Sequence, residues 1–322
     1  MNERYEVIAR DGALRLFKED PHWERERLVR VAAPGVASRA LRFAATQDVL
    51  DIVDLPVWAE VTLSVQDARP LRRLLRRPVE LRARPKARRL RGLITGSGRC
   101  GTQSLAHWLD GLADLDGAPL RARHETLWHY LLPMIAAGRT QDVRAFVDGF
   151  QHEIECAPHF SLMPEAIRAD AVIRLIRDGR RVVQSGLNRG WYVKEGPWNR
   201  VKPAFPGSVF EQACRFWVHT NRNLDRVATH TFRLEDLAAS PASRATLLAA
   251  LGVPPSDRPL PVSNSGQASS QTDRWTPQER DAFAEICGEL MDEHYPGWRE
   301  RASKPSGAVP AESRTLMSAE CG

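Results

Sequence analysis

LITGSGRCGTQSL, residues 93–105, is an apolar run that breaks into a glycine-rich loop and then resumes as an amphipathic segment. That order of residues dictates a buried strand, a tight turn and a helix. Backbone N–H groups in such a loop are available to an anion, and the helix behind it adds the positive end of its dipole. Gly96 and Gly101 have the spacing of the two glycines in a Walker A loop, but Thr102 stands where that motif needs lysine. The cation is instead Arg99, two residues before the second glycine. The loop therefore reads as a phosphate site that lacks the Mg-ATP arrangement of ordinary P-loop NTPases.

Working outward, strands alternate with helices from residue 91 on, which predicts an α/β fold with a parallel sheet. The helix after the loop puts Leu105, Trp108, Leu109 and Leu112 on one face. Further strands are expected at 120–124, 154–157, 171–176 and 231–234, and helices at 127–137, 143–150 and 245–251. Ser208 with Glu211 is a capping box that opens a helix bearing Phe210, Cys214, Trp217 and Leu224 on one side. Thr276, Pro277 and Glu279 open another, with Phe283, Ile286, Cys287 and Leu290 as its apolar face.

Upstream, residues 5–9, 14–17, 28–31 and 58–65 read as short strands, 71–77 as a short basic helix, and Pro85 as part of a boundary near residue 90. The tail after residue 302 is rich in Ser, Pro and Ala and reads as disordered. The expected organisation is a β-rich region over 1–90, an α/β domain over 91–301 and a tail over 302–322.

The chain has 322 residues, 43% of them hydrophobic, enough for a substantial core. No run approaches 18 apolar residues and the first twelve lack a signal-peptide core, so neither a membrane span nor secretion is expected. Cys100, Cys156, Cys214, Cys287 and Cys321 show neither metal-ligand spacing nor a disulfide framework, which predicts a reduced, cytoplasmic setting. HEIE at 152–155 lacks the HExxH spacing, so no metal is expected. The net charge is +6, but Lys18, Lys86, Lys194, Lys202 and Lys304 are the only lysines among 46 basic residues. That skew reads as compositional bias more than as a nucleic-acid footprint.

A second segment, IRLIRDGRRVVQSGLNR at 173–189, gives the loop its context. Together the two resemble the PAPS-dependent sulfotransferases, which use 3′-phosphoadenosine 5′-phosphosulfate (PAPS). Arg99-Cys100-Gly101-Thr102 is similar to their 5′-phosphosulfate loop, departing at Cys100 for Ser and Gln103 for Thr. Their 3′-phosphate motif is a buried strand ending in Arg-Asp-Pro-Arg, with a serine eight residues after the first arginine. Arg177 and Ser185 have that spacing, and Gly179 replaces the proline. FRLEDL at 232–237, Pro241 and Leu251-Gly252-Val253 extend the resemblance, so that it covers residues 91 to about 300 and leaves the first 90 uncovered.

The resemblance implies a three-layer, P-loop-like fold and the transfer of a sulfuryl group from PAPS to a hydroxyl or amine. The acceptor would be a carbohydrate, glycolipid or small metabolite, the product 3′,5′-adenosine bisphosphate (PAP), and no metal is implied. Arg99 and the N–H groups of Gly98, Cys100, Gly101 and Thr102 would hold the 5′-phosphate, with Gln103 and Ser104 as further donors. Arg177 and Ser185 would grip the 3′-phosphate, with a structural salt bridge from Arg177 to Asp178 or Asp170 as the rival reading. Glu125 is favoured as base, with His124 next; a solvent-facing or substrate-binding pair is the alternative. Cys100 reads as a loop residue, not a nucleophile. His152, Glu155 and His159 read as structural residues with acceptor binding as the alternative. The same two readings, a sugar site or ordinary packing, hold for Trp191, Tyr192, Lys194 and Trp198, and 264–266 with Arg274 and Trp275 reads either as a donor-closing loop or a plain connection. A P-loop nucleotide kinase or other phosphotransferase, and a non-catalytic nucleotide-binding protein, remain as alternative functions.

Overall fold

The structure, a computed structural model, describes residues 5–10, 13–19, 26–56, 59–68, 78–84, 89–261 and 275–299. The expected basic helix at 71–77, Pro85, the loop around 264–266, Arg274 and the tail from 302 lie outside the described residues.

The N-terminal strands make two antiparallel sheets. One has the order β1 (Tyr5–Arg10), β2 (Ala13–Lys18), β5 (Val49–Ile52); the other β4 (Val36–Phe43), β3 (Arg27–Ala33), β6 (Val61–Asp67), β7 (Val79–Ala83). Inward residues at period two, among them Val7, Leu14, Leu16, Val29, Val31, Leu63 and Val65, form a common core. Strands were expected near β1, β2, β3 and β6; β4, β5 and β7 were not.

β1 is buried on both sides. Ile8 and Phe17 face away from the N-terminal core and pack with Leu131, Phe146 and Phe150. Ala9 N–H donates to Gly149 O at 2.8 Å. A Cβ on Gly149 would overlap Ile8, so the glycine permits the approach. The N-terminal sheet is thus tied directly into the core that follows.

The remaining strands form one parallel sheet with the order β12 (His230–Arg233), β11 (Ala169–Ile176), β8 (Leu90–Thr95), β10 (Ile154–Cys156), β9 (Ala122–His124). β8 and β11 are buried almost throughout because helices cover both faces of the sheet. Successive residues alternate sides: Leu93 and Val172 join one core, Ile94 and Ile173 the other. The second core is closed by α1 (Thr102–Leu109), α7 (Leu234–Ala239) and α8 (Pro241–Ala250); the first by α2 (Trp128–Ala136) and α3 (Thr140–Asp148). α4 (Gly179–Asn188), α6 (Val209–Asn223) and α9 (Pro277–His294) build a third cluster around Trp217. The short α5 (Pro197–Arg200) lies between α4 and α6. Both expected capping boxes are present, at Ser208 and Thr276. Among the described residues no helix is long and apolar enough to cross a membrane.

The sheet begins at its middle strand. From β8 the chain fills one side with β9 and β10, then the other with β11 and β12. The carboxyl end of β8 is therefore the topological switch point, where open α/β sheets leave a crevice for ligands.

Candidate functional site

β8 ends at Thr95, and the glycine-rich loop fills the switch point. A Cβ on Gly96 would overlap the backbone oxygen of Leu175, so only glycine lets the loop lie against β11. Gly98, Arg99 and Gly101 have φ of 76°, 56° and 101°. Three left-handed residues within four tighten the loop, and the N–H groups of Gly98, Cys100 and Thr102 face the Cys100 sulfur. Among the described residues, no oxygen accepts a hydrogen bond from any N–H between Ser97 and Thr102. Arg99, a side-chain-bearing residue, is held left-handed at the centre of this loop, a form of strain that gathers at functional sites.

The second predicted segment meets the first. Arg177 leaves the end of β11 and donates from Nη1 to Arg99 O at 2.8 Å. Arg99 donates from Nε to Ser185 Oγ on α4 at 2.9 Å. The rival salt bridges for Arg177 are absent. Asp178 caps α4, accepting from Arg180 N–H at 3.0 Å, and binds the Arg180 guanidinium at 2.6 Å. Asp170 pairs with Arg89 at 3.0 Å. A Cβ on Gly179 would lie about 3.0 Å from the Trp217 ring, a tight approach.

Among the described residues no carboxylate is ion-paired to Arg99, Arg177 or Arg189. Burial pushes the Arg99 guanidinium below its ordinary value, and the positive charges of Arg189 and Arg177 push it further. Arg189 was not singled out from the sequence. It follows Ser185 by one helical turn, and that spacing is the signal that would have found it.

Glu125 and His124 come from the end of β9. Thr102 Oγ1 lies 3.2 Å from His124 Nε2, and His124 Nε2 is 3.6 Å from Glu125 Oε1. Burial raises the Glu125 carboxyl to about 7; Glu155 raises it too, while Arg99 opposes both. Burial lowers His124 to about 4, so its imidazole is neutral at pH 7. Of the two, the Glu125 carboxyl is the one poised near pH 7, where a group can exchange a proton.

Behind them lies a second, fully buried pair. Glu155 accepts from Thr126 N–H at 3.0 Å and Thr126 Oγ–H at 2.6 Å, and its Oε2 is 2.7 Å from His152 Nε2. His159 is also buried and both of its ring nitrogens lack a partner. Burial lowers it to about 4.

Cys100 is buried, and burial pushes its thiol up to about 11 even though the N–H groups of Gly98, Cys100 and Thr102 face the sulfur. A thiol at that value is a loop residue and no nucleophile at neutral pH. Ser104 is buried in α1, whereas Gln103 faces solvent. Trp275, offered as an adenine stack, is spent in the core. Its ring packs on Phe210 and Phe283, and its N–H donates to Gln184 at 2.6 Å. Trp191 is likewise interior, filling the gap left by Gly186. Trp198 is half-buried and stacks on Trp128, the residue that opens α2 beyond the Glu125 turn.

No protein-family model matches the chain, and no curated protein matches it either.

Proposed function

We propose that this protein is a PAPS-dependent sulfotransferase with a P-loop-like fold. One observation carries the reading: Arg177, Arg99 and Ser185, from two segments 78 and 86 residues apart in the pairs they form, meet at the switch point with no carboxylate paired to either arginine. Guanidinium groups left without counter-charge at the loop that opens α1 suit an anion with more than one phosphate. The strand order supports the fold assignment. Counted within the parallel sheet it is 2-3-1-4-5, unlike the two common doubly wound orders.

In this reading the loop N–H groups and Arg99 hold the 5′-phosphate, and Arg177 and Ser185 hold the 3′-phosphate. Glu125 removes the acceptor proton as oxygen bonds to sulfur. The bond between sulfur and the bridging oxygen breaks, and its electron pair stays on the 5′-phosphate of PAP, where Arg99 offsets the charge. The products are a sulfate ester, or a sulfamate from an amine acceptor, and PAP. Thr102 stands in the lysine position of nucleotide kinases, which disfavours Mg-ATP.

The test is a melting-temperature comparison of PAP with Mg-ATP. PAP is expected to stabilise the protein more; preference for Mg-ATP ends the assignment and favours a phosphotransferase. PAP binding without transfer from radiolabelled PAPS to any member of an acceptor panel favours a non-catalytic binder.

A further inference from the structure

Residues 125–127 form a turn that the chain does not adopt readily. Glu125 and Leu127 have φ of 52° and 49°, and neither is glycine. The turn is strapped to β10 at three points. Glu125 N–H donates to Cys156 O at 3.3 Å, and Thr126 gives both its N–H and its hydroxyl to the Glu155 carboxylate. Glu155 has no exposed surface, so it touches no ligand itself. A buried carboxylate inside a sheet is tolerated only with its lone pairs occupied. His152 occupies the remaining direction; since an ionised carboxylate only accepts, Nε2 is the donor.

We propose that Glu155 is the positioning residue of the active site: through Thr126 it fixes the left-handed turn that turns Glu125 toward Arg99, and it sets a buried carboxylate directly behind that turn. This rests on the reading of Glu125 as the proton acceptor.

The surrounding charges are consistent with that role. Glu125 faces Arg99 from the loop, His124 from β9 and Glu155 from β10. Glu155 faces His152, His124 and His159, and also Glu6, which β1 brings in from the N-terminal sheet. Glu6 in turn pairs with Arg123 at 3.4 Å. Hydrogen bonds from His152 and Thr126 hold Glu155 below the ordinary carboxylate range despite burial, so its negative charge persists where Glu125 titrates. The N-terminal region thereby closes the buried side of the site.

The experiment follows the Glu125 carboxyl directly by NMR in protein labelled at glutamate carboxyl carbons, with Glu125→Gln assigning the signal. Glu155→Gln keeps the volume and an acceptor for Thr126 but removes the charge. Its Glu125 titration is expected to fall by about one unit or more, with PAP-induced stabilisation retained. Thr126→Val keeps the charge and deletes one strap. It is expected to shift the same titration and lower transfer about tenfold at unchanged donor KM, with Thr126→Ser restoring both. If Glu155→Gln does not fold, the Thr126 pair carries the test. A Glu125 titration unmoved in every folded variant overturns the proposal. Because the titration needs no donor, it decides the positioning role even in a protein that takes no PAP, so this inference and the proposed function fail separately.

Discussion

Two histidine–glutamate pairs stand along the neighbouring strands β9 and β10, and their carboxylates titrate in opposite directions. Glu155 is the more deeply buried, yet its carboxyl lies below the ordinary range because His152 and Thr126 satisfy it. Glu125 keeps some exposure, yet burial and then the charge of Glu155 raise it to about 7 against the opposing charge of Arg99. Burial alone would have ranked them the other way. What separates them is the supply of donors: hydrogen bonds to the charged form outweigh desolvation at Glu155, and nothing comparable reaches Glu125. The molecule thus holds one carboxylate fixed as a charge and leaves its neighbour able to exchange a proton.

The largest expected effect tests that division. Glu125→Gln should lower transfer by about 10² to 10⁴-fold while PAP-induced stabilisation is unchanged. Retained turnover removes Glu125 as the base and collapses the contrast. Glu155→Ala should instead act on folding. It leaves buried donors without an acceptor and should cost about 3 kcal/mol in urea unfolding at pH 7; a loss under about 0.5 kcal/mol would show that Glu155 is not the fixed charge.

The anion end comes next. Arg177→Ala should weaken PAP binding about tenfold to a hundredfold, as expected for a charge-assisted hydrogen bond. Asp170→Ala should leave it unchanged, because Asp170 pairs with Arg89 and not with Arg177.

Stability against pH sharpens the comparison further. The folded value of Glu125, about 7, lies above its ordinary 4.5, so the native state holds that proton longer than the unfolded chain does. Its contribution is fully present below pH 4.5 and is lost as pH rises through 7. For Glu155 the folded value is depressed, so its contribution is present above the unfolded value and lost as pH falls through the folded one. Urea midpoints should therefore show wild type falling relative to Glu125→Gln between pH 5 and 8; parallel curves would break the contrast. At the small end, Thr276→Ala removes the cap of α9 and should cost about 1 kcal/mol, with PAP binding untouched.

Legibility in the sequence followed the range of the forces. β8 and β11 were readable because two-sided burial demands a continuous apolar run. The starts of α6 and α9 were readable because a capping box is satisfied within four residues. β4 was not, since most of it is exposed and shows no apolar alternation. Residues 231–234 read as a strand, yet α7 begins at Leu234. There Glu235 accepts from Asp178 N–H at 3.2 Å and from Tyr295 OH at 2.9 Å, contacts invisible locally. At the site, Arg99 was singled out by its place in the glycine-rich loop, whereas Arg177 and Ser185 came only through the resemblance to a family motif; the structure brings the three together. Glu155 was passed over as structural, though a lone acid within an apolar strand is itself a signal that partners must exist.

By itself the sequence determined the elements around the loop: a glycine pattern fixes a turn, an apolar run fixes a strand, and each acts over a few residues. Which groups confront one another was decided only by the tertiary structure. The order of parallel strands brings Arg177 to Arg99 and sets Glu155 behind Glu125. The proton affinity of a carboxylate depends on the donors and charges within a few ångströms of it, and those arrive from strands dozens of residues apart.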